Sequence, residues 1–199
     1  NTFCLHLPGR ATATTKVQAS PGLLGRWAQW LTELRIDVDL SGRDIQREFD
    51  ALHDRIRTNH RTRDALRPLP LHLRGLVFRL READVEYFVY AIDPLRNRIA
   101  AYTVFNRLVE VDRRTDRHLR APHTKVAHGY RRMGIATAIY RWWLDSGRCL
   151  MTGARQSAGA HALWLALARD YELAAVRIDA NKRVQQLPMP PPPGFFDAL

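Results

Sequence analysis

Two cysteines, three lysines and no apolar run of about 18 residues are what this 199-residue chain has least of. Cys4 and Cys149 stand far apart in sequence, so spacing announces neither a disulfide framework nor a cysteine-rich metal site. Both are expected to be reduced, with Cys149 buried. The scattered histidines form no HExxH or comparable ligand pattern, so no metal is expected, and neither a GxSxG nor a P-loop signature occurs. Without a membrane-length apolar run, or the basic, apolar and small-residue zones of a secretory leader, the chain reads as soluble and cytoplasmic, with no membrane partner. The scarcity of lysine has another side: all but three of the 31 basic side chains are arginine, and the formal net charge is +11. A planar guanidinium suits phosphate and carboxylate, so an anionic ligand or partner fits this composition.

At 46% hydrophobic, the chain is long enough to bury one substantial core. The expected organisation is an irregular N-terminal arm at 1–20, one folded domain at 21–180 and a proline-rich tail at 181–199, with four consecutive prolines at 190–193 favouring polyproline II. Leu23, Leu24, Trp27, Trp30, Leu31 and Leu34 recur at helical spacing. A second helix follows, capped by Ser41 and carrying Ile45, Phe49, Leu52 and Ile56 on one face. After breaks at Pro68 and Pro70, residues 77–80, 85–92 and 99–105 are rich in β-branched and aromatic residues. Asp93-Pro94-Leu95-Arg96-Asn97 turns the last two into an antiparallel hairpin. A strand is expected at 120–126, a helix from Ile135 that stops near Gly147, a short buried strand at 149–152, a helix at 158–168 and a closing strand at 173–178. Of the two adjacent tryptophans, Trp142 is expected to face inward and Trp143 outward, where it would point to a homodimer contact.

The stretch that carries chemistry is Val126-Ala127-His128-Gly129-Tyr130-Arg131-Arg132-Met133-Gly134-Ile135-Ala136, with RxxGxA at 131–136. Between a strand and a helix, such a loop turns several backbone N–H groups toward one point at the positive end of the helix dipole, a ready diphosphate site. Gly134 allows close backbone approach, and Arg131 and Arg132 add charge. Val126, Tyr130, Arg131, Gly134 and Ala136 match the acyl-CoA signature of the GNAT superfamily of N-acetyltransferases, which the order of elements over about 22–180 also resembles. The Gln-Ser and Leu-Trp pattern at 156–164 looks like phage or prophage-borne members. The resemblance implies a mixed, mostly antiparallel, splayed β-sheet flanked by helices, an α/β (α+β) class. It implies acetyl-CoA or another acyl-CoA as cofactor, held by Val126, Arg131, Arg132, Met133, Gly134, Ile135 and Ala136, and direct transfer of the acyl group to an amine on a macromolecule or small molecule.

The chain departs from that pattern where many members place a tyrosine that protonates the leaving thiolate: Leu163-Trp164 stands there, and an indole N–H has no accessible acidity. Tyr171 is the substitute candidate. For the base, His123 ranks first, an imidazole that titrates in the useful range, with His128, Glu86 and Glu110 as alternatives. Two other readings stay open. A nucleic-acid-modifying or nucleic-acid-binding protein would use the net charge and the basic 107–132 segment. A catalytically decayed interaction module would use the proline-rich tail.

Overall fold

In the computed structural model, residues 2–6, 42–152 and 157–187 are described, and their strands are mostly antiparallel with one parallel pairing, an α+β fold. The helix expected at 23–34, the Ser41 cap, Gln156 and the prolines from 188 onward lie outside these residues. Two compact units share the chain: one holds 39–106 and 122–142, the other 1–38, 107–121 and 143–199. The arm expected to be irregular at 1–20 contributes β1 (Thr2–His6), whose Phe3 and Leu5 are fully buried between two neighbouring strands. Five residues are too few to show a period, which is why the sequence reading missed it.

In the unit of 39–106 and 122–142, α1 (Gly42–Thr58) buries Phe49 against Tyr102, ring centroids 5.7 Å apart. Its exposed side is tied by a Gln46–Asp50 hydrogen bond one turn apart. A short α2 (His60–Asp64) follows, capped by Asn59, which accepts from Thr62 N. Pro68 and Pro70 do not break regular structure, contrary to expectation. They sit in β2 (Arg67–Leu73), which pairs with β3 (Leu76–Ala83) at the end of the strand order. An edge strand can spare the N–H groups that proline lacks. Next come β4 (Glu86–Asp93) and β5 (Arg98–Asn106), each antiparallel to the strand before. One face of these strands buries Phe78, Val89, Ala91, Ala101, Thr103 and Phe105, and the opposite face buries Tyr90 and Ala100 beside Tyr102, on which Phe49 packs.

The β3–β4 turn is two residues long, Asp84 and Val85, both at positive φ (53° and 66°). That backbone suits asparagine and glycine; for a β-branched residue it is an outlier. Val85 is 60% exposed, so little burial offsets the strain. Val85→Gly is therefore expected to stabilise the protein by about 1 kcal/mol and to raise Tm by roughly 2–4 °C in a thermal melt. An unchanged or lower Tm would show that the strain is relieved elsewhere.

The other unit contains α3 (Arg113–Asp116), the first residues of β6 (Leu119–Val126), the end of α4 (Ile135–Asp145), β7 (Cys149–Met151), α5 (Ala158–Leu167), β8 (Glu172–Ile178) and β9 (Val184–Gln186). Its strands follow the order β6, β7, β1, β8, β9. The parallel pairing joins Leu119 to Cys149 and Arg120 to Leu150; β1 is antiparallel to both β7 and β8. Ser157 caps α5 by accepting from Ala160 N, and Trp164 and Leu167 bury its inner face. The part of the expected tail at 184–186 is a strand rather than an extended spacer. Trp143 overturns the expected assignment of the tryptophan pair. It is fully buried, donating from Nε1 to Cys149 O at 3.1 Å, whereas Trp142 is half-buried against Phe105. It offers no exposed contact for a second copy.

Candidate functional site

The glycine-bearing segment joins a strand to a helix, as its spacing requires. From β6 the chain passes Ala127, whose N–H donates to Ala100 O at 2.9 Å, then a 3-10 turn at His128–Tyr130, then Arg131 in an extended conformation. Arg132 and Gly134 both take positive φ, 60° and 79°. Glycine adopts that backbone freely, whereas arginine does so at a cost often met at functional sites. Gly134 O accepts from Ala138 N at 2.9 Å, which makes Gly134 the residue that opens α4. The amides of the first helical turn, at Ile135, Ala136 and Thr137, have no acceptor within the helix, and a glycine at this position brings no side chain to cap them. A Cβ built on Gly134 would meet no atom within 4 Å, so this side of the glycine is open. Arg131 and Arg132 are exposed, Val126, Met133 and Ala136 are half-buried, and Ile135 turns its side chain into the core, leaving its N–H for the loop. The seven residues expected to bind the cofactor thus lie along one strand end, turn and helix start. Open space, positive helix end and two arginines suit a diphosphate.

The turn is pinned from the hairpin. Tyr130, buried, donates its hydroxyl to Asp93 Oδ2 at 2.7 Å. Asp93 also accepts from the amides of Leu95 and Arg96 at 3.0 Å and from the Arg96 guanidinium at 2.9 Å. Hydrogen bonds from Tyr130 and Arg96 hold its carboxyl well below the usual carboxylate range. A carboxyl depressed on folding stabilises the protein above its unfolded value and ceases to do so as pH falls through the folded value. Asp93→Asn should accordingly be less stable than wild type at pH 7, with the gap closing as pH drops below the ordinary value of 3.8. Urea titrations at pH 7 and pH 3 check this; a gap independent of pH would mean that Asp93 acts through shape alone.

The acid–base candidates are spread apart. His123, an exposed residue of β6, lies three residues before Val126; partial desolvation and the charge of Lys125 lower its imidazole, with Glu48 opposing. Glu48, on α1, accepts hydrogen bonds from Tyr102 Oη and from Lys125 Nζ. Burial raises its carboxyl, but those two bonds outweigh burial and the net shift is downward. Burial and Glu48 in turn push the Tyr102 phenol up. The carboxylate near His123 is therefore Glu48, which the sequence reading passed over because it lies 75 positions away on an amphipathic helix. Glu86 begins β4, at the opposite end of that strand from Asp93, roughly 20 Å away by strand rise. It does not join the Tyr130 turn. Tyr171 is buried and donates to Asp145 Oδ1 at 2.7 Å, at the residue that closes α4 rather than the end that opens it. A phenol so engaged is a structural tie.

The basic segment 107–132 is less free than its charge suggests. Asp116 binds Arg107 at 3.2 Å and the buried Arg120 at 2.9 Å, and Glu48 binds Lys125. Near the expected cofactor turn, Tyr140 of α4 sits under a hydroxyl chain in which Thr124 meets both Thr103 (2.8 Å) and Tyr140 (3.1 Å). Burial pushes the Tyr140 phenol up to about 12, so it remains protonated. No group of three or more histidine, cysteine, aspartate or glutamate side chains placed to hold a metal ion occurs among the described residues. Among those residues, no helix is long and apolar enough to cross a membrane. No protein-family model, curated protein or solved structure matches the chain.

Proposed function

We propose that this chain is an acyl-CoA-dependent N-acyltransferase of the GNAT type, with the turn at 131–136 as its cofactor-binding element. The observation that carries the reading is a helix opened by Gly134 at φ 79°, where a Cβ would meet no atom within 4 Å, beside two exposed arginines. The Tyr130–Asp93 bond supports it, since a binding turn gains from being held in place before the ligand arrives. The element order β6, turn, α4, β7, α5, β8 and the parallel β6–β7 register also fit.

Bound acyl-CoA would supply an activated acyl group as its thioester. The chain's own residues bind and orient. The amides of Gly134, Ile135 and Ala136, with Arg131 and Arg132, take the diphosphate, and an amide at or just before Val126 polarises the thioester carbonyl. In this reading His123 accepts the proton of the attacking amine. Its lowered imidazole keeps it in the neutral, accepting form at pH 7. Acyl transfer should therefore fall as pH drops, with its acid limb centred below 6.5. Loss of the thiol-protonating tyrosine at Trp164, together with the engaged Tyr171, leaves solvent as the source of the final proton. Isothermal titration with acetyl-CoA tests the reading: binding at micromolar to millimolar affinity is expected, and no detectable heat with the wild-type protein would end it.

A further inference from the structure

The two cysteines, distant in sequence, meet in the fold. Cys4 on β1 lies directly opposite Met151 on β7, and Cys149 is two residues before Met151, hence on the same sheet face. Directly opposed side chains on antiparallel strands start about 4.5–5.5 Å apart at Cβ. The Cys4 thiol reaches Cys149 at hydrogen-bonding distance and also Leu5 O at 3.9 Å. Cys4, Cys149 and Met151 are all buried, in a cluster with Leu119, Ala174 and Val176, and neither cysteine is in a disulfide. Half-buried Leu108, Ile178 and Val184 are packed against it. Three sulfur atoms on neighbouring strands, under a partly exposed apolar cover, make an unusual concentration of soft donors in a chain with only two cysteines and three methionines.

We propose that Cys4, Cys149 and Met151 form a binding site for a soft monovalent cation, Cu(I). Thiolate and thioether sulfur select Cu(I) over the hard divalent ions. Zinc would need a fourfold nitrogen, sulfur or oxygen set, and no such group of ionisable ligands gathers among the described residues. Charge decides in the same direction. Binding replaces the Cys149 proton with the metal, Cys–SH + Cu⁺ giving Cys–S–Cu + H⁺, and the Cys4 sulfur and Met151 thioether complete the coordination as uncharged donors. The product is neutral, as an apolar core requires. Each Cu(I) taken up thus releases one proton to solvent.

The test offers the full chain Cu(I) held by bathocuproine disulfonate under anaerobic, reducing conditions and follows loss of the coloured chelate. One Cu(I) per chain is expected, with copper K-edge absorption showing two or three sulfur neighbours. Met151→Leu, which conserves volume, should weaken uptake about 10-fold, and Cys149→Ala at least 100-fold, with circular dichroism reporting that each variant remains folded. No transfer from the chelate to wild type, nitrogen or oxygen neighbours at the copper, or equal uptake by a folded Cys4→Ala/Cys149→Ala variant would each overturn the site. Wild-type stoichiometry and spectroscopy decide the matter even where a cysteine variant fails to fold.

Discussion

Replacing Asp116 by alanine is expected to cost the fold about 3–5 kcal/mol, the usual penalty for stripping one partner from a buried ion pair. The carboxylate does three things at once. Oδ1 accepts from the Arg120 guanidinium at 2.9 Å and from Leu108 N at 3.1 Å, and Oδ2 accepts from Arg107 Nε at 3.2 Å. Arg120 is 1% exposed, so without Asp116 its charge stays buried with one carbonyl, Leu119 O, among its remaining contacts. Arg107 can turn to water, because its side chain is 40% exposed. The asymmetry gives the decisive comparison. Asp116→Ala/Arg120→Met removes both charges and should be more stable than Asp116→Ala alone, although it carries one more substitution. Guanidinium or urea unfolding of the two variants checks this; a double variant less stable than the single would mean that the Arg120 charge is not the source of the penalty.

Gly134→Val is the substitution with the largest expected effect on ligand binding. A side chain at φ 79° strains the backbone by about 1–2 kcal/mol if the turn is kept, which corresponds to roughly 5- to 30-fold weaker acetyl-CoA binding when the ligand requires that turn. The added Cβ meets no neighbouring atom, so the protein should remain folded. Gly129→Ala is the matched control. Gly129 lies in the preceding 3-10 turn, also faces open space and does not have positive φ, so its replacement should leave affinity nearly unchanged. Equal acetyl-CoA affinity for wild type and Gly134→Val in a titration would place the ligand elsewhere.

Legibility of the sequence varied with the range of the interactions involved. The hairpin at 85–105 was readable because alternation and an Asp-Pro…Asn turn are local signals, and β4, β5 and the Asp93 turn appear where they were expected. Ser157 as a cap and Gly147 at the end of α4 were readable for the same reason. Edge strand β2 was not, since proline signals a break unless the N–H it lacks would have faced away from any partner, and only the sheet decides that. Trp142 and Trp143 were exchanged because α4 was read as having one buried stripe. Phe105 takes up part of Trp142, while Cys149 O and Arg148, 4.5 Å from the indole, enclose Trp143.

By itself, the sequence determined where a glycine turn would join a strand to a helix, since Gly134 and the patterns on either side are contained within about twenty residues. Only the tertiary structure decided which groups stand together: Glu48 beside Lys125, Asp93 under Tyr130, Cys4 against Cys149 and Asp116 between two arginines. The reason is physical. Backbone turns and periods follow from sterics acting over a few residues, whereas charge pairing and sulfur contacts depend on strand register and helix docking between segments as much as 145 positions apart, which no local propensity encodes.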